Sequence, residues 1–193
     1  MMLSDVDILA RIDDGSLVID PMPSDSCIGS YSVDVHLSNH FRVFRGTMRP
    51  FVDIGDGKGA NAMSGDLMED VVIKHGESFH LHPGQLALGL ISERLEVPDD
   101  LACSIDGRSS LGRLGLAVHV TAHAVDAGWR GQLTLEMINM GPLPLAVKPG
   151  IRIAQVSFQR LMTPTSRPYY AKEKAKYRNQ TAPIQSRIDQ DAA

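Results

Sequence analysis

The chain has 193 residues, a formal net charge of −4 and a hydrophobic fraction of 43%. That length suits one domain with its own core and leaves little room for two. The acidic balance argues against general nucleic-acid binding, which needs a basic face.

No apolar run reaches the roughly 18 residues that would suggest a membrane span. The opening MMLSDVDILARIDDG is acidic and broken by charges, unlike a secretory leader. Cys27 and Cys103 lie far apart, so the expectation is a reduced pair in a cytoplasmic protein rather than a disulfide framework.

The first predicted element is a helix. Ser4 can cap it, Asp7 completes a short capping box, and Gly15 can end it. Val6, Leu9 and Ile12 recur at helical spacing. The period then changes to two. In SYSVDVHL, Tyr31, Val33, Val35 and Leu37 alternate with Ser32, Asp34 and His36, the mark of a half-buried strand.

Residues 55 to 68, GDGKGANAMSGDLM, read as a loop or insertion. SFHLH, QLALGLI, QLTLEM, LPLAV and IRIAQVSF repeat the strand habit, punctuated by turns at Pro83-Gly84 and Pro149-Gly150. Many short strands with few helices predict a sandwich or a jelly-roll-like barrel. Alternating strand–helix units are absent, which excludes a Rossmann sheet.

The stretch DGRSSLGRLG, residues 106 to 115, stands out in an acidic chain. Asp106-Gly107 reads as a turn. SSLGRLGL can follow as one or two helical turns, capped by Ser109 or Ser110. A helix start offers free N–H groups to a phosphate. Arg108 and Arg113 add charge and directional donors. The bland alternative is that both arginines pair with Asp106 or Asp126 in an interface. No Walker pattern occurs.

In GQLTLEMINM, Leu133, Leu135 and Met137 share one face of a strand, and Thr134, Glu136 and Ile138 share the other. A carboxylate among apolar neighbours is costly to bury unless paired. Glu136 therefore either meets an arginine or does proton work.

Metal readings fare poorly. His80 and His82 alternate, and His119 and His123 lie four apart, but no third ligand falls at a useful spacing. HGE at residues 75 to 77 fits half of a zinc nucleobase-deaminase motif, yet its P-C-x-x-C partner is missing. From Pro164 the chain is polar, and it is basic as far as Arg178. Composition alone describes a frayed terminus, whereas the functional alternative is a segment that orders over a ligand.

DGRSSLGRLGL, VHVTAHAVDAGWRGQLTLEMIN, LPLAVKPGIRIAQVSF and AKYRNQ together closely resemble the dCTP deaminase family of the dUTPase-like superfamily. The similarity runs from the N-terminal helix through the AKYRNQ tail. It implies a mainly β, distorted jelly-roll or β-barrel domain of the β-clip type over residues 1–163, with few helices. Residues 164–193 would be an active-site lid. The resemblance also implies a homotrimer with shared active sites between subunits.

The implied reaction is zinc-independent conversion of dCTP to dUTP and ammonia, supplying dUTP for dUMP and dTTP synthesis. Mg²⁺ would ride on the triphosphate, and dTTP would be an inhibitor. By motif, Glu136 would be the proton shuttle, with Ser109 and Arg113 orienting water and stabilising charge. Arg108, Ser109, Ser110, Leu111, Gly112 and Arg113 would form the substrate-binding stretch, with Arg108 and the serines cradling phosphates. Asp126 would hold the sugar hydroxyl, and Thr134 and Leu135 would frame the base. Tyr169, Lys176 and Gln180 would close the tail over the nucleotide.

One departure concerns Ala124, which stands where many single-function members carry arginine. The branch that also hydrolyses dUTP to dUMP and pyrophosphate usually has glycine where this chain has His123. Simple deamination is therefore the expectation. The bifunctional enzyme and a non-catalytic nucleotide-binding module are the alternatives.

Overall fold

The computed structural model describes residues 1–46, 51, 52, 54 and 67–191. Helix α1, Asp5–Asp13, begins as its sequence dictates. Ser4 is the N-cap, and the reciprocal Ser4–Asp7 capping box is formed. Two of the helix's orphan N-terminal donors are thereby satisfied. The chain leaves the helix through Gly15 at φ 75°, a conformation glycine reaches without strain. The buried face differs from the predicted one. Ile8 is fully buried, whereas Val6 is 70% exposed. Leu3 and Ile12 pack with Ile8 against the core, so tertiary contact rather than the Val6-Leu9-Ile12 spacing sets the face.

The strands follow in chain order. They are β1 (Val18–Asp20), β2 (Ser32–His36), β3 (His40–Phe44), β4 (Met68–Val72), β5 (Phe79–Leu81), β6 (Leu86–Leu90), β7 (Arg94–Glu96) and β8 (Leu101–Gly107). The short helix α2 spans Ser109–Gly112. Strands β9 (Leu116–Ala117), β10 (Ala124–Val125), β11 (Arg130–Gly131), β12 (Thr134–Asn139), β13 (Leu145–Val147) and β14 (Arg152–Arg160) complete the set.

Four antiparallel sheets result among the described residues. Their orders are β1-β7-β11, β10-β8-β14-β2, β4-β3-β6-β12-β9 and β13-β5. This is the mainly β, jelly-roll-like architecture that the strand pattern and the resemblance imply. It is built from separate sheets and not from one closed barrel.

One apolar cluster joins the sheets. Val33 and Val35 of β2, Ile105 of β8, Leu135 and Met137 of β12 and Phe158 of β14 are essentially inaccessible. In β8 and β12 their alternation with more exposed neighbours is the period-two pattern of strands with one face inward, whereas β14 is buried on both faces at Val156, Ser157 and Phe158. Phe41 and Phe79 stack with centroids 4.3 Å apart, tying the five-stranded sheet to the β5–β13 pair.

Several local expectations are corrected. Tyr31 precedes β2 and is 47% exposed, because the inward alternation begins only at Val33. Asp106-Gly107 ends β8 in pairing with β14 instead of forming a turn. Within the predicted 55–68 loop, residues 55–66 lie outside the described residues. Leu67 and Met68 are buried, and Met68 opens β4 opposite Phe44.

Candidate functional site

Strand β12 carries the acid. It pairs with β6 along five residues, Thr134↔Leu90 to Ile138↔Leu86. Leu135, Met137 and Asn139 point into the core, while Thr134, Glu136 and Ile138 lie half-exposed on the opposite face. That face forms one wall of a cavity of about 800 Å³. Leu86 and Leu88 extend the wall from β6. Phe44 and Met68 close one side, and Ile105 and Trp129 contribute further apolar surface. Among the described residues, no salt bridge or hydrogen bond engages the Glu136 carboxylate. An unpaired carboxylate on an apolar wall is free to handle a proton, and that is the chemistry the strand pattern suggests.

The tail completes the cavity. The backbone N–H of Tyr169 donates to Ala127 O at 2.9 Å and that of Asn179 to Arg130 O at 2.9 Å. Gln132 N–H donates to Gln180 O at 3.0 Å. The Gln180 side-chain amide donates to Gln132 O at 2.7 Å and to Thr134 Oγ1 at 2.9 Å. Gln180 is 4% exposed, and its Oε1 has no partner.

The ring of Tyr169 lies 5.2 Å from that of Trp129. Its hydroxyl accepts the Tyr177 N–H at 3.0 Å. Gly128 and Gly131 permit this docking. At Gly128, φ is +79° and a Cβ would sit 2.6 Å from Pro168 Cβ. At Gly131 a Cβ would meet the backbone of Gln180 at 3.0 Å. The bland expectation of a frayed terminus is thus overturned for the described part of the tail.

The anchor of the tail lies just outside the cavity. Tyr170 Oη donates to Asp99 at 3.0 Å, and the Arg130 guanidinium sits 4.3 Å over the Tyr170 ring. The hydrogen bond to Asp99 holds the Tyr170 hydroxyl above its ordinary range. Burial and the Asp99 charge add to that shift, and Arg130 opposes it. Lys172 pairs with Asp126 at 2.5 Å. The carboxylate expected to hold a sugar hydroxyl is therefore occupied here by a tail cation.

The residues predicted from sequence fall into two sets. Asp126, Thr134, Glu136, Tyr169 and Gln180 line the cavity. Leu135 belongs to the same strand, but its side chain is fully buried on the core face, so only its backbone can border a ligand. Lys176 is half-buried and does not line the cavity.

Arg108, Ser109, Ser110, Leu111, Gly112 and Arg113 stand outside this chain's cavity. The expected serine cap is absent. Arg108 is the N-cap without a side-chain bond, and Ser109 begins the helix. Arg108 pairs with Asp34 at 3.1 Å and donates to Arg152 O at 3.3 Å, so its partner is neither Asp106 nor Asp126. Arg113 and the Ser109 and Ser110 hydroxyls are exposed and without partners among the described residues.

Sequence reading missed several cavity residues. Leu86 and Leu88 were legible as the outward face of QLALGLI. Phe44 and Met68 enter through the β3–β4 pairing, which no local pattern announces. Ile184 and Ser186 follow the last recognisable motif and carry no signal.

The described residues gather no group of three or more His, Cys, Asp or Glu side chains able to hold a metal. No helix among them is long and apolar enough to cross a membrane. Both cysteines are free and buried.

The architecture matches a solved deoxycytidine triphosphate deaminase from Agrobacterium tumefaciens with a TM-score of 0.63 at 23% identity. The match covers 83% of this chain and 48% of that one, so the chain spans about half the solved protein. The fold is thus the mainly β, jelly-roll-like one of that solved protein.

A family profile described as dCTP deaminase-like matches residues 2–161. Relatives named dCTP deaminase are 48% identical in Rhodospirillum rubrum and 47% identical in Shewanella loihica. Each alignment covers 99% of this chain, and 98% and 100% of the respective relative. The chain belongs to the dCTP deaminase-like family.

Proposed function

We propose that this protein deaminates dCTP to dUTP and ammonia. The observation that carries the reading is the unpaired Glu136 carboxylate on the wall of an apolar cavity bordered by the docked tail. The near-full-length likeness to proteins named dCTP deaminase supplies the substrate.

Glu136 takes a proton from the water that attacks C4 of cytosine. It returns protons to ring N3 and to the leaving amine as the C4–N bond breaks. Thr134 and the Leu135 backbone frame the pyrimidine. Asp126 exchanges its Lys172 partner for the sugar hydroxyl. Tyr169, Lys176 and Gln180 hold the tail across the nucleotide. The partnerless Gln180 Oε1, buried beside Thr134, supports a polar ligand there, because a buried acceptor without a donor is costly.

The Arg108–Arg113 stretch serves a cavity in a neighbouring copy. Ser109 and Arg113 orient the attacking water and stabilise developing charge. Arg108, Ser109 and Ser110, with the Leu111 and Gly112 backbone, cradle phosphates. Exposed Leu114, Met140 and Leu143 beside α2 support burial against another chain. A homotrimer with shared sites accounts for this division. Mg²⁺ belongs to the triphosphate as part of the substrate, where it screens charge during binding. The setting is cytoplasmic, with dTTP as the candidate inhibitor.

Purified protein incubated with dCTP and Mg²⁺ is expected to release ammonia and dUTP in equal amounts, read by chromatography. Binding of dCTP without turnover would refute the reading in favour of a nucleotide-binding module. Accumulation of dUMP and pyrophosphate would instead identify a deaminase that also hydrolyses its product.

A further inference from the structure

A second constellation lies away from the cavity, around the short turn Asp25–Cys27. Cys27 Sγ stands 3.9 Å from His36 Nε2. On the other side of the ring, His36 Nδ1 lies 2.6 Å from Glu93 Oε1. Glu93 is 2% exposed, and its two oxygens also accept the His36 backbone N–H at 2.9 and 3.1 Å. The carboxylate is therefore fixed, and it requires the proton of a neutral His36 ring on Nδ1. That leaves Nε2 as an acceptor facing the thiol. Ser24 Oγ approaches the same sulfur at 3.5 Å. A thiol, a base and an acid that orients the base is the arrangement of an assisted sulfur nucleophile.

Cys103 provides the contrast within the same chain. It sits on β8 with 1% exposure, and burial, aided by the Asp106 charge, pushes its thiol well up. It has no imidazole partner; its thiol donates to Ser104 O at 3.7 Å. Cys27 exposes 4% of its surface, but Ser24, Asp25 and Ser26 around it are exposed.

We propose that Cys27 is a modification site, a thiol that hydrogen peroxide oxidises to the sulfenic acid with His36 as base and Glu93 as its orienting partner. The sulfur attacks one peroxide oxygen, an S–O bond forms and the O–O bond breaks. The thiol proton passes to His36 Nε2 and then to the departing hydroxide, giving water. Sulfur loses two electrons and the peroxide gains them. None of the cavity residues takes part, so the inference stands apart from the deaminase reading.

The test exposes folded protein to hydrogen peroxide, quenches with catalase, denatures, and alkylates the remaining thiols with iodoacetamide. Peptide mass spectrometry then reads each cysteine separately. Cys27 is expected to be lost well before Cys103. Its rate should be at least about 10²-fold higher in the folded chain than in urea, the lower end of assistance by a positioned base. Dithiothreitol should restore it.

His36→Gln should remove most of the acceleration, with folding checked by circular dichroism. If that variant does not fold, the folded-to-unfolded rate ratio of the wild type decides alone. A Cys27 rate no higher in the folded chain than in urea overturns the proposal. So does an unchanged rate in folded His36→Gln, or a loss that dithiothreitol does not reverse.

Discussion

At the scale of single residues, Glu136 separates chemistry from stability. Its carboxylate has no partner among the described residues, so the fold does not depend on its charge. Glu136→Gln keeps the shape and removes the base. We expect turnover of dCTP to fall by about 10²–10⁴-fold, the range for loss of a positioned acid–base group. Stability should change by no more than about 0.5 kcal/mol, as for a substitution that breaks no contact. Kinetics and thermal unfolding on one preparation check both, and a variant with full activity would exclude the shuttle role.

Gly128 is the opposite case, a residue without a functional group whose backbone decides where the tail lies. With φ at +79° and Pro168 in the space of its missing Cβ, Gly128→Ala meets both strain and collision. The left-handed conformation alone costs about 1–2 kcal/mol. The tail must shift, so KM for the nucleotide should rise more than core stability falls. An unchanged KM would show that docking at Gly128 is unimportant to binding.

At the scale of elements, the tail is held by backbone hydrogen bonds, by the tilted contact of Tyr169 with Trp129 and by side-chain bonds from Gln180 and Tyr170. Removal of residues from Pro168 onward therefore leaves the main core intact, since the fully buried side chains all lie before it. It uncovers Trp129, the single tryptophan, now 7% exposed beside Tyr169. The truncated chain should remain folded, show red-shifted tryptophan emission and lose most turnover. Emission identical to the full chain would refute the docked tail.

The Tyr170 anchor adds a pH signature. Its hydroxyl is held above the ordinary tyrosine range, first by its hydrogen bond to Asp99. The native state thus keeps a proton that the unfolded state releases. The contribution is complete below pH 10 and is lost as pH rises through the raised native value. Thermal unfolding of wild type should therefore weaken above pH 10 more steeply than that of Tyr170→Phe. Equal slopes would dismiss the anchor as a stabilising contact.

These elements also show what a sequence can disclose. The α1 capping box and the alternation that aims Glu136 away from the core are local patterns, and both were legible. The inward face of α1 was misread because Val6 and Ile8 are equally apolar and only the packed core chooses between them. The β8 strand hid behind Asp106-Gly107, a pair that usually signals a turn but here continues a ladder with β14. Tail docking left no pattern in composition or periodicity, and only the resemblance of AKYRNQ pointed to it. Backbone N–H groups of Tyr169 and Asn179 make the key contacts, and every residue but proline has one.

At the scale of the whole molecule, the decisive question is where the Arg108–Arg113 stretch acts. Within one chain it lies outside the cavity that holds Glu136, and Arg113 projects from an exposed surface. If the stretch serves a neighbour, two defects in different chains can complement. Glu136→Gln supplies an intact Arg113, and Arg113→Ala supplies an intact Glu136. Each variant alone should be nearly inactive.

Mixed after dissociation and reassembly, some hybrid trimers contain a site with a wild-type acid from one chain and a wild-type arginine from the next. Activity should return to a fraction of wild type, and light scattering should give a mass of three chains before and after mixing. Closed symmetry makes the result unambiguous, because every interface repeats the same pairing of surfaces. A site built within one chain would be defective in every hybrid. Failure of rescue in verified hybrid trimers would therefore assign both residues to the same subunit and remove the shared-site architecture.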